Sequence, residues 1–127
     1  MVTLKSSNVY TDYALKSFFK NTEIDNDDEF LLINNDKCDT KKFSSYNKVE
    51  ILENKQPSSF AQNVNRVINL AKKKGKDIVF LNNDIIFTKN WFYSLKKNTE
   101  NISIPANNQL FPYKSNCGKL KLKITMN

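Results

Sequence analysis

Four short, largely apolar runs constrain this chain more than any other feature. They are Met1 to Leu4 (MVTL), Phe30 to Ile33 (FLLI), Val49 to Leu52 (VEIL) and Ile78 to Leu81 (IVFL). Runs of this length, bounded by polar segments, are what strands buried in a sheet look like. Helical patterns lie between them. Thr11 or Asp12 can cap a helix that places Ala14, Leu15, Phe18 and Phe19 at helical spacing. Ser58 or Ser59 can cap a longer one carrying Phe60, Val64, Val67 and Ala71 on one face, with Lys72 to Lys74 and Gly75 at its end. Thr88 can cap a third, through Lys97, that carries Trp91, Phe92 and Leu95. Ile102 to Ile104 reads as a fifth strand, and Lys119 to Ile124 (KLKLKI) alternates charge with Leu120, Leu122 and Ile124, the pattern of a half-exposed strand.

The resulting order, β-α-β-β-α-β-α-β with a basic tail, predicts an α/β fold: a mostly parallel, Rossmann-like sheet flanked by helices. With 127 residues, no internal repeat and no linker, one domain is expected over residues 1–127. In such sheets ligands bind at the carboxyl ends of the strands. The segments to search are therefore Lys5 to Asn8, Asn34 to Asp39, Asn54 to Ser59 and Asn82 to Ile86.

Composition narrows the chemistry. The chain has no His, which removes Ser-His, Cys-His and His-metal arrangements, so a metal here would need oxygen ligands and would be Mg or Mn rather than Zn. The two cysteines, Cys38 and Cys117, are too few for a disulfide scaffold and are expected as free thiols. No apolar run reaches the length of a membrane span, and the first residues lack a signal-peptide pattern, so a cytoplasmic protein is expected. The net charge of +7 suits an anionic partner, but all cations except Arg66 are lysines, a poor set for reading nucleic-acid bases. No nucleic-acid partner is expected. GxGxxG and GxxxxGK[ST] loops are both missing, which argues against dinucleotide dehydrogenases and P-loop NTPases.

Two strand ends repeat one pattern. LLINND, Leu31 to Asp36, and FLNNDIIF, Phe80 to Phe87, each run from an apolar strand into two Asn and an Asp. A carboxylate at the end of a buried strand is costly unless it is paired or binds a cation. A turn in which Asn and Asp satisfy the backbone is the simpler account of each, but two such ends in one parallel sheet would converge on one crevice.

With VTLKSSN at the start, EFLLINNDKCDT, VEILENKQPSSFAQNVNRVINLA and DIVFLNNDIIFTKNWFYSL, the chain resembles the nucleotide-sugar-binding part of a family 2 glycosyltransferase with the GT-A fold. The resemblance covers residues 1 to about 97 and leaves 98–127 as a basic tail. It implies a metal-dependent hexosyl transfer from a nucleotide sugar, with UDP-glucose as the first donor to try, to a glycan, lipid or protein acceptor. It places Thr3 at the nucleoside pocket, and Asn34 where the family usually has an Asp that recognises uracil or ribose. Ser59 and Asn65 belong to the following loop and helix, Asn83 approaches the ribose, and Asp84 binds the Mn2+ or Mg2+ that bridges the diphosphate. Lys114 in the tail is a candidate phosphate contact. After Asp84 the only carboxylate side chain is Glu100, the one candidate general base, and it matches no family motif. The base is thus missing, or the mechanism does without it. Two other readings stand beside this one: a non-catalytic sugar-nucleotide-binding module, and a small basic nucleic-acid-binding protein. A homo-oligomer that completes the acceptor site is compatible with all of this.

Overall fold

The computed structural model of the chain describes residues 1–46 and 48–96. Its centre is a three-stranded parallel sheet in the order β1-β2-β3, with β1 at Val2–Thr3, β2 at Phe30–Asn34 and β3 at Val49–Glu53. The register aligns Val2 with Ile33 and Thr3 with Asn34, and pairs β2 with β3 from Phe30–Val49 to Asn34–Glu53. All three strands therefore end level, with Thr3, Asn34 and Glu53 side by side.

Helix α1 spans Asn8–Asn21 and follows a 3-10 turn at Lys5–Ser7. It begins earlier than the Thr11 or Asp12 cap expected from sequence. Thr11 lies inside it, fully buried, with its hydroxyl donating to the Ser7 carbonyl at 3.1 Å. That back-bond within the helix satisfies the hydroxyl that would otherwise favour a cap. Ala14, Leu15 and Phe18 of α1 pack with Phe30, Leu32, Phe43 and Phe87 in the main core. Phe18 makes edge-on ring contacts with Phe19, Phe30 and Phe87 at 4.9–5.2 Å, a geometry aromatic quadrupoles favour. Phe43 enters from a second 3-10 turn, Lys41–Ser45, between β2 and β3.

Helix α2, Phe60–Lys74, has the ends its sequence calls for. The Ser59 hydroxyl accepts from the Gln62 amide and the Gln62 side chain accepts from the Ser59 amide, a reciprocal cap. Gly75 closes the helix at φ 62°, a left-handed conformation that residues with a Cβ resist. Helix α3, Trp91–Lys96, follows Asn90 at φ 65° rather than a Thr88 cap; the Thr88 carbonyl accepts from the Trp91 amide instead.

One expected element differs. Ile78 to Leu81 forms no strand, and Val79 and Phe80 are 44% and 52% exposed. A strand needs a ladder, and β1 offers only two residues at that side of the sheet. A cavity of about 910 Å³ also separates this segment and α2 from the sheet. The expected strands at 102–104 and 119–124, Lys97, Glu100, Lys114 and Cys117 lie outside the described residues. Among the described residues no helix is long and apolar enough to cross a membrane.

Candidate functional site at the strand ends

The four segments that follow the apolar runs meet through hydrogen bonds. The turn after β1 lies in the middle. The Lys5 amide donates to both oxygens of Asp36, at 2.9 and 3.0 Å, and Asn8 Nδ2 donates to the Asp39 carbonyl. On the other side Asn83 Nδ2 donates to Ser7 Oγ at 2.7 Å and to Thr11 Oγ1 at 3.0 Å. The segment after β3 joins through Asn35, whose Oδ1 accepts from Asn54 Nδ2, the Ser58 amide and Asn63 Nδ2 at 2.8–3.0 Å. The carboxyl edge of the sheet is thus one connected rim.

The expected site residues divide between this rim's interior and its outside. Thr3 is fully buried; its hydroxyl pairs with that of Thr11 at 2.8 Å. Asn34 is 1% exposed and fastens the loop that follows it. Its Oδ1 accepts from the Cys38 amide, while Nδ2 donates to the Cys38 carbonyl and to Glu53 Oε1. Asn34 therefore spends both amide donors within the protein. Ser59 caps α2. Asn65 is exposed on α2, whereas Asn63, two residues earlier, is 2% exposed and turned inward. Asn83 anchors its turn to the start of α1, and the next residue, Asp84, is held out in solvent.

Sequence reasoning missed the buried amide cluster of Asn35, Asn54 and Asn63. Asn54 Nδ2 donates to Asn63 Oδ1 at 2.9 Å as well as to Asn35, and Arg66 Nη1 donates to Asn54 Oδ1 at 2.7 Å. The available signal was an Asn immediately past β2 and β3 and a third on the buried side of α2. Asp36 was likewise read as part of a turn, and it does serve the turn by receiving the Lys5 amide.

Two electrostatic features flank the rim. Burial pushes the Cys38 thiol above its ordinary range, with the charges of Asp36 and Glu53 adding to the effect and a weak hydrogen bond to Thr3 opposing it. Lys37, beside it, takes φ 58°, a left-handed conformation uncommon for a residue with a Cβ. Helix α1 continues directly from the Lys5–Ser7 turn, and the Asp36 carboxylate, accepting from the Lys5 amide, sits at the head of that helical stretch.

Among the described residues no group of three or more Cys, Asp or Glu side chains could hold a metal ion. Asp84 alone offers a single outward carboxylate. That donor set does not suit a resident ion. It does suit Mg or Mn delivered with a diphosphate, because these ions bind through one or two carboxylates while phosphates and waters complete the shell.

Compared with models of protein families, with curated proteins and with solved structures, the chain matches none of them.

Proposed function

We propose that this chain is a sugar-nucleotide-binding domain of the GT-A type and acts as a metal-dependent glycosyltransferase on a UDP-sugar. The observation that carries the reading is the connected rim. The segments after β1, β2 and β3, with the turn at residues 82–86 beside them, are joined by hydrogen bonds at the carboxyl edge of a parallel sheet, the place where such sheets bind ligands. One feature of the rim favours a metal-bound diphosphate: Asp84 extends from the turn that Asn83 fixes against Ser7 and Thr11 at the start of α1.

Asp84 would hold the divalent ion, which when bound offsets the negative charge of the departing nucleoside diphosphate. Asn83 keeps Asp84 in place by spending its amide donors on Ser7 and Thr11. Asn34 supports the nucleoside side indirectly, by fixing the loop from Asp36 to Asp39 and the Glu53 carboxylate. The lysine-rich surface raises the local concentration of an anionic donor.

The test is calorimetric titration with UDP, GDP, TDP and UDP-glucose, with and without Mn2+, on the wild type and on Asp84→Ala. The expected result is Mn-dependent binding, tightest for UDP-glucose, that Asp84→Ala abolishes while the unfolding temperature stays the same. Unchanged UDP-glucose affinity in Asp84→Ala overturns the metal assignment, and tighter GDP binding overturns the uracil preference. Release of free nucleotide from a panel of nucleotide sugars separates transfer from binding alone.

A further inference from the structure

Arg66 is the only arginine in a chain with 20 cationic side chains, and among the described residues it pairs with no carboxylate. Its hydrogen bond there runs from Nη1 to Asn54 Oδ1 at 2.7 Å. A guanidinium carries five N–H donors in one plane, so that bond leaves the rest of the fork unspent while restricting where it points.

The anchor behind Arg66 is itself held. Asn54 is buried, and both hydrogens of its Nδ2 are taken, one by Asn35 Oδ1 at 2.8 Å and one by Asn63 Oδ1 at 2.9 Å. With its nitrogen committed to two acceptors, its oxygen is left to face Arg66. Asn63 Nδ2 donates in turn to Asn35 Oδ1 and to the Ser58 carbonyl. A cation kept for solubility alone needs no such mounting. A fork held at a fixed aim is what bidentate recognition of an oxyanion requires.

The frame carries a second unspent donor. Asn35 Oδ1 accepts from Asn54 Nδ2, the Ser58 amide and Asn63 Nδ2, which settles which end of its amide is oxygen. Its Nδ2 meets no acceptor among the described residues, although Asn35 is only 8% exposed. That nitrogen is not sealed in, because among the described residues Asn8 Oδ1 alone is a buried side-chain atom without a partner. Asn35 Nδ2 therefore opens to the surface, with its direction set from behind. One amide, that of Asn54, holds both unspent groups: its oxygen takes Arg66 and its nitrogen takes Asn35. Bonds of 2.7 and 2.8 Å on either side of a single amide keep the two within the length of one small ligand.

We propose that Arg66 and Asn35 form a binding site for the phosphate ester of a small polyol, with Asn54 and Asn63 as its positioning residues. Arg66 grips the phosphate through two parallel N–H bonds, and Asn35 Nδ2 donates to an oxygen of the attached polyol. The net charge of +7 draws a dianionic phosphate in preference to a singly charged carboxylate. This inference does not depend on the glycosyltransferase reading, since the site uses no metal.

A sole arginine gives a single guanidinium Nε–H signal in a nitrogen–proton correlation spectrum of the full-length protein. In metal-free buffer, glycerol phosphate is expected to move that signal to saturation. Inorganic phosphate should bind about fivefold more weakly for want of the Asn35 bond, and acetate should cause only a small linear drift. Calorimetry on two variants completes the test. Arg66→Lys keeps the charge but loses the fork, and is expected to weaken glycerol phosphate by at least about tenfold. Asn35→Asp keeps an oxygen for the three incoming donors and replaces the outward donor with a second carboxylate oxygen, so binding is expected to be lost. An Arg66 signal that drifts without saturating, equally in glycerol phosphate and acetate, overturns the inference with no variant required to fold. Wild-type affinity in Arg66→Lys or Asn35→Asp also overturns it, by placing the phosphate among the surface lysines. So does saturation that appears only with Mn2+, which would assign the phosphate to the strand-end site.

Discussion

Helices α1 and α2 are nearly equal in length, at 14 and 15 residues, and they invert the usual relation between pattern and packing. α2 has the cleaner sequence: an apolar stripe, a reciprocal cap at Ser59 and Gln62, and Gly75 at the end. Yet among its residues only Asn63 is buried, and Phe60 at its head is 68% exposed. α1 has no side-chain cap and polar residues scattered round it, yet it buries Thr11, Ala14, Leu15 and Phe18. Caps and turn residues fix where a helix begins and ends, because they answer the orphan amides and carbonyls of its own ends. Whether its apolar face is buried depends on what stands opposite. Phe30, Leu32 and Phe87 stand opposite α1, and a cavity stands opposite α2.

The largest effect that sharpens this contrast is truncation of Phe18. It is buried and touches four other rings, so Phe18→Ala is expected to cost about 3–5 kcal/mol in denaturant unfolding. Val67→Ala on α2 is expected to cost about 0.5–1 kcal/mol, because its face meets open space. Equal costs at the two positions would break the contrast and show α2 to be packed as firmly as α1.

Asn63 comes next. Asn63→Ala leaves Asn54 short of an acceptor and Asn35 short of a donor, and is expected to cost about 1–3 kcal/mol. Asn65→Ala, on the exposed side of the same helix, should stay within about 0.5 kcal/mol. A larger loss at Asn65 than at Asn63 would reverse the side of α2 that faces the rim. Ser59→Ala removes the cap and is expected to cost about 1 kcal/mol, readable as a lower unfolding temperature.

The smallest effect is electrostatic and joins the C-terminus of α2 to the loop before β2. Lys74 and Lys76 hold the Glu29 carboxyl near a pKa of about 2, against an ordinary 4.5. A carboxylate with a depressed folded-state pKa contributes stability that is present above about 4.5 and is lost as the pH falls towards about 2. The gap in unfolding temperature between wild type and Glu29→Gln is therefore expected to close across that interval. The pair is exposed, so high salt should narrow the gap at every pH.

The sequence showed the strands that became β2 and β3 and both ends of α2, because apolar runs and caps are local signals. It misplaced the start of α1, since Thr11 resembles a cap until Ser7 and Thr3 are seen to take its hydroxyl. It read Ile78 to Leu81 as a strand because hydrophobicity shows that a segment seeks burial but not that a partner edge is at hand. The convergence of the segments after β1, β2 and β3 followed from the parallel topology; that of the turn at residues 82–86 did not, because no strand precedes it. The roles of the individual asparagines did not, because an Asn past a strand reads the same whether it faces a ligand or, like Asn34, turns back to hold its own loop. The amide cluster joins residues 19 and 28 positions apart, a distance no local pattern reports.

That cluster has one more consequence. Asn35, Asn54 and Asn63 carry no proton that titrates between the extremes of pH, and their mutual hydrogen bonds join neutral groups. Acid, alkali and salt act mainly on charges, so this part of the rim should keep its shape through changes that dissolve the Glu29 ion pairs. Whatever binds at the strand ends would then meet the asparagine scaffold as a fixed frame of reference.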